Sequence, residues 1–225
     1  MVSIEKTKSM VFGNDTIKKK LHIGKDKIEN VTEFVYLGSL LTFYNSCSKE
    51  IKRRIDKAMA AMAGFSTVWR NRHISLQVKL KVLHVCVFSV LLYACETWTL
   101  KKTDRDKLLA FENKCYRWIL QIRWQQKITN ESIHQRIKVK QTVVQTIIRR
   151  KLQTFGHICR MKEDRLIKTV LFGIMDGKTR TGRPCREWTD DITEWCNKDL
   201  HTLKQKALNR EEWQNIVQHA SNTNG

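Results

Sequence analysis

"EIKRRIDKAMAAM", residues 50–62, is where the chain changes period. Before it, apolar residues come in short runs broken by turns. Residues 9–12 form one run, residues 17–23 and 27–31 flank the turn candidate Gly24-Lys25-Asp26, and residues 34–41 are interrupted by Gly38. That pattern reads as β-structure. Ser48 is a suitable helix cap, and Glu50 falls in the first turn. From there Ile51, Ile55, Met59, Met62 and Trp69 recur at steps of about four, the spacing of one helical face. Lys52, Arg53, Arg54 and Lys57 fall opposite, which predicts an amphipathic helix with a basic outward face.

The remaining chain keeps the helical period. Residues 75–97 are apolar nearly all round, as in a helix packed inside others. A third helix starts near Thr103 with Leu108, Phe111, Cys115, Trp118, Ile119 and Ile122 inward, and a fourth spans 143–160 with Arg149-Arg150-Lys151 as a basic cluster. Residues 173–184 hold three of the nine glycines and the one proline, and read as a loop. Two short helices follow: one over 186–197 with Trp188, Ile192 and Trp195 one turn apart, and one capped by Asn209 with Glu212 three residues on. Residues 221–225 are expected to be disordered. The predicted fold is mainly α, with a small N-terminal β-hairpin region, in three segments: 1–45, 46–130 and 131–225.

The net charge of +20 makes polyanions, nucleic acid first, the natural partners. It is concentrated: +11 over residues 46–130 and +10 over 131–186, against +2 before and −3 after. Of seven tryptophans, Trp69, Trp98 and Trp118 sit beside Leu and Ile at helical spacing and read as core. Trp124, next to Arg123 and Lys127, is the better base-stacking candidate. Arg70 and Arg72 extend the first basic helix; Lys178, Arg180, Arg183 and Arg186 surround Gly177 and Gly182, where backbone can approach phosphates. The seven cysteines include no CxxC pair. Cys86, Cys95 and Cys115 read as buried free thiols of a reducing, intracellular compartment, nuclear or cytoplasmic. The spacing of His157, Cys159, Cys185, Cys196 and His201 matches no common zinc module, so no metal ligand is assigned. The most apolar stretch, 82–95, is shorter than a membrane span of about 20 residues, so no membrane partner is expected.

Several motifs, in order, resemble the back half of a LINE-type, non-LTR retrotransposon reverse transcriptase: "KTKSMVF" (6–12), "FVYLGSLLT" (34–42), "EIKRRIDKAMAAM" (50–62), "LLYACETWTL" (91–100), "GHICRM" (156–161) and "GKTRTGRPCREWTDDI" (177–192). The resemblance implies a palm end with Lys6 or Lys8 near the incoming nucleotide, a primer grip at Tyr36-Leu37-Gly38, a thumb from the following helices, and a C-terminal extension contacting template RNA or target DNA. It implies RNA, DNA or an RNA–DNA hybrid as partner, and a missing palm and fingers portion of the parent polymerase. Magnesium would serve the complete parent, with no cofactor in this chain. The implied role is to hold template–primer without catalytic residues. The alternative is a domesticated RNA- or DNA-binding adaptor with no polymerase role.

Charge reversal at Arg53 and Arg54 is expected to weaken nucleic-acid binding without unfolding the chain. Trp188-Thr189-Asp190-Asp191 spells an aromatic-x-Asp-Asp core, but helical spacing and its position after the grip-like and thumb-like segments argue against one. It reads as a solvated acidic helix start, which the helix dipole favours, and its carboxylates should cost little stability to remove.

Overall fold

The computed structural model describes residues 3, 7–11, 21–44, 46–173 and 186–223. Among the described residues the strands all precede Ser48 and are short. β1 (Lys8–Ser9) pairs in parallel with β4 (Glu29–Asn30), while β2 (His22–Ile23) and β3 (Asp26–Lys27) close antiparallel around Gly24-Lys25. β5 (Glu33–Tyr36) and β6 (Ser39–Thr42) form a second antiparallel hairpin, in the register Tyr36 opposite Ser39. The interruption expected at Gly38 in the run 34–41 is thus the turn between two paired strands.

Helices follow: α1 (Ser48–Gly64), α2 (Ser66–Arg70), α3 (Leu76–Val82), a π-helical segment (Leu83–Phe88), α4 (Ser89–Leu91) and a 3-10 turn (Cys95–Thr97). Then come α5 (Lys102–Ile119), α6 (Asn130–Ile137), α7 (Val143–Cys159), α8 (Leu166–Phe172), α9 (Trp188–Cys196), α10 (Leu200–Leu208) and α11 (Arg210–Thr223). The mainly α prediction holds. The long helix read through Trp69 breaks at Phe65, whose φ/ψ of −94°/20° leaves the helical region. Trp69 folds back from α2 and donates its indole N–H to Met62 O at 2.7 Å. The helix read over 75–97 ends near Leu91, because Ala94 turns left-handed at φ 54°. Helices α6 and α10 carry few apolar residues and α8 spans only two turns, so none stands out in the sequence; α10 takes up His201. The C-terminal residues expected to be disordered extend α11 to Thr223, with Ser221 buried.

One hydrophobic cluster runs from Ile51 in α1 to Ala220 in α11. Helix α7 is its hub, touching α5, α8, α9, α10 and α11. Its start is fixed by a capping box: Thr142 accepts from Gln145 N, and Gln145 Oε1 accepts from Thr142 N. A carboxyl from α5 finishes the cap. Glu112 of α5, 1% exposed, accepts from Val143 N at 3.0 Å and from the Tyr116 hydroxyl at 2.8 Å. Burial pushes its carboxyl above the usual range, with the two hydrogen bonds opposing. A raised folded pKa means the native state holds a proton that the unfolded chain has released. Stability is therefore lost as pH rises from the unfolded value, about 4.3, through the folded one. Glu112→Gln keeps both partners satisfied, since the tyrosine hydroxyl can reverse its role. Urea unfolding should show the Glu112→Gln variant gaining on the wild type between pH 4 and pH 7; a pH-independent difference would contradict this.

Candidate nucleic-acid interface

The hairpin β5–β6 turns at Leu37-Gly38 with φ 47° and 81°. Positive φ at both central residues is the type I′ geometry that matches strand twist, and Asn-Gly or Gly-Gly usually supply it. A leucine there is unusual. Its side chain is 76% exposed, so no burial compensates for it. What holds the turn is α1. Arg54 directs its guanidinium to Gly38 O, while its Nε donates to Glu50 Oε1 at 2.6 Å. Arg53 donates to Gly38 O at 3.2 Å and to Glu50 Oε2 at 2.8 Å. Glu50 Oε2 also accepts from Leu40 N at 3.0 Å. From beyond the π-helical segment, the Tyr93 hydroxyl donates to Leu37 O at 2.8 Å, and its ring lies 4.4 Å under the Arg54 guanidinium. Sequence reasoning missed Glu50 and Tyr93 here. The available signal was a tyrosine closing an otherwise apolar helix, whose hydroxyl must find a partner.

This places the four predicted basic-face residues of α1 in two roles. Lys52 and Lys57 are exposed, with exposed Asp56 between them. Arg54 is buried and Arg53 half-buried, both committed to the turn. Charge reversal at Arg53 and Arg54 would therefore set two acids against buried Glu50 and release the hairpin, contrary to the expectation of an intact fold. Arg70 and Arg72 are exposed at the end of α2 and just beyond it. Tyr36 is exposed beside Leu37. Lys8 is ion-paired to Glu29; Lys6 lies outside the described residues.

In α7 the basic cluster divides in the same way. Arg149 and Arg150 are exposed, Arg150 donating to Leu92 O at 3.1 Å. Lys151 has no exposed surface at all. It meets Asp191 Oδ2 at 2.6 Å and Trp98 O at 2.8 Å, with the Trp188 ring 4.9 Å away. It cannot reach a phosphate, and its assignment to the nucleic-acid surface is corrected. Burial lowers its pKa, opposed by the aspartate. Asp191, equally buried, accepts from Leu100 N at 2.9 Å and from Arg186 Nε at 2.7 Å. The pair Asp190-Asp191 does begin a helix, α9, but only Asp190 is exposed, completing a capping box with Glu187. A solvated acidic start is thus half right, and the small stability cost expected for removing both carboxylates is overturned. Arg186 is half taken up by Asp191 and Glu194. Lys178, Arg180 and Arg183 lie outside the described residues.

The predicted core tryptophans Trp69 and Trp98 are buried, and Trp118 is half-buried; the Trp124 side chain is not among those described. Burial pushes the Cys95 thiol up to about 11 and that of Cys115 to about 12, so both stay protonated at neutral pH. Cys86 is half-buried, less enclosed than its pattern suggested. Among the described residues no group of three or more His, Cys, Asp or Glu could hold a metal ion, and no helix is long and apolar enough to cross a membrane.

No family model matches the chain, and no solved structure does. An uncharacterised transposon-derived protein of Caenorhabditis elegans is 23% identical over 201 residues, covering 85% of this chain and 72% of that protein. That likeness points to a transposon origin.

Proposed function

We propose that this chain is the nucleic-acid-holding C-terminal part of a non-LTR retrotransposon reverse transcriptase, with palm-end hairpin, thumb-like helices and a basic extension. Its partner is RNA, DNA or an RNA–DNA hybrid, and the palm and fingers of the parent polymerase would complete it. The observation that carries the reading is the joint between hairpin and helix. Arg53 and Arg54 lock the Leu37-Gly38 turn onto α1, while Lys52 and Lys57 of the same helix remain exposed. A turn that steadies a primer end and a helix that follows the duplex backbone would thus move as one body. The sequence motifs, the charge and the transposon-derived relative support the same reading.

Magnesium chemistry belongs to the parent's catalytic aspartates. Asp190 and Asp191 do not fit that role, since one caps its own helix and the other is held by Lys151, Arg186 and a backbone N–H. Phosphate contacts from lysine are insensitive to sequence, and each removed should lower the salt slope of binding by about one. Lys52→Glu with Lys57→Glu should therefore weaken hybrid binding by about tenfold or more at low salt, with circular dichroism unchanged. Unchanged affinity in a folded variant would remove α1 from the interface.

A further inference from the structure

The motif "GHICRM" lies in the last turns of α7 and just past them. It opens onto two adjoining cavities. One, of about 370 Å³, lies between α7 and α11 and is lined by Gln153, His157, Arg160, Arg210 and Trp213 among others. The other, of about 490 Å³, lies between the end of α7 and the start of α8 and is lined by His157, Arg160, Lys162, Arg165 and Ile167 among others. They share His157 and Arg160, so they form one groove. No carboxylate lines either part. The acids nearest in sequence, Glu163, Asp164, Glu211 and Glu212, are not part of the lining; Glu163 is engaged by Lys168 and Glu212 by Lys206.

Among the described residues, Lys162, Arg165 and Arg210 are in no ion pair, and with Arg160 they converge on one concavity; Arg53, Arg54, Lys151, Lys168 and Arg186, by contrast, are each ion-paired. Arg160 is fixed by donating to Ala207 O at 2.6 Å at the end of α10. The floor is firm: Trp213 is buried, with its N–H bonded to Leu152 O. Unpaired like charges held close together in a concavity create an attractive field for an anion. Along α7, Arg149, Gln153, His157 and Arg160 are spaced by four, four and three residues, one stripe about 16 Å long. The stripe joins the groove to the exposed Arg149.

We propose that this groove binds the sugar–phosphate backbone of single-stranded nucleic acid, separately from the duplex-holding face of α1. Each cavity has the size of a site enclosing one small ligand unit. A rigid duplex can lie across such openings but cannot enter them, whereas a single strand can present one nucleotide after another to a positive groove. The inference rests on the nucleic-acid reading and assigns to these residues the strand that leaves the duplex.

The test is fluorescence anisotropy of the full chain with a uridine RNA of about 12 nucleotides and, separately, a blunt RNA–DNA hybrid. Lys162→Glu with Arg165→Glu should lower single-strand affinity about tenfold or more and change hybrid affinity by less than about threefold. Arg210→Glu, on the opposite wall, should act in the same direction. Lys114→Glu with Lys198→Glu changes net charge equally and should weaken both ligands slightly and alike. If the groove variants behave like this charge-matched control, or if the wild type binds hybrid but no single strand, the groove assignment falls and the hybrid-holding reading stands. If the wild type binds neither ligand, both fall.

Discussion

Asp191→Ala is expected to destabilise the chain by about 3–5 kcal/mol, the cost of leaving a buried charge without its partner. Lys151 has no exposed surface and no other carboxylate in contact, and Leu100 N–H would lose its acceptor as well. For a chain of this length each kcal/mol moves the melting temperature by roughly 2–4 °C, so a fall of about 10 °C is the expected reading in a thermal melt. Lys151→Met combined with Asp191→Asn removes both charges and keeps an acceptor for Leu100, so it should recover most of that loss. A melt unchanged by Asp191→Ala would mean that Lys151 reaches water, and with it that α7 and α9 are not docked as described.

Gly156→Ala should be strongly destabilising. Alanine normally improves a helix interior by about 1 kcal/mol over glycine. Here the added Cβ would lie 2.2 Å from Trp213 Nε1 and 2.4 Å from its Cδ1. The ring cannot turn aside without giving up its bond to Leu152 O and its place in the core. α11 must shift off α7, and overpacking of this kind costs about 1–3 kcal/mol or more beyond the gain in propensity. Trp213→Leu alone also destabilises, by vacating volume, but the two changes together should cost less than their sum, because the shortened side chain makes room for the methyl. Additive costs would place the tryptophan somewhere other than against Gly156.

Much of the fold was legible because period survives in the sequence. The change at Ser48, the core face of α5, the span of α7 and the tryptophan spacing of α9 all follow from apolar residues three and four apart. What was misread has one physical cause. Lys151 sits four residues from both Ile147 and Phe155, and Arg54 is three from Ile51 and four from Ala58; each is a charge on an apolar face. Sorting residues by charge assigned them to the surface, whereas position assigns them to the core. Asp191, between Trp188 and Ile192, is the same case. Their partners lie 40 residues away for Lys151 and one turn away for Arg54, and only the former needed the structure to find. The hairpin clamp was hidden for another reason: Tyr93 meets Leu37 across 56 residues and a left-handed leucine that no propensity favours. The groove beside α7 depends on where α8 and α11 dock, which local pattern does not encode.

The most direct measurement is a salt titration of binding to an RNA–DNA hybrid of about 20 base pairs. If Lys52, Lys57, Arg70, Arg72, Arg149 and Arg150 hold six or more phosphates, affinity should fall about a thousandfold or more between ~50 and ~200 mM salt, with little dependence on base sequence. A flat titration, or affinity that follows base sequence and ignores salt, would contradict the assignment of this chain as a holder of nucleic-acid backbone.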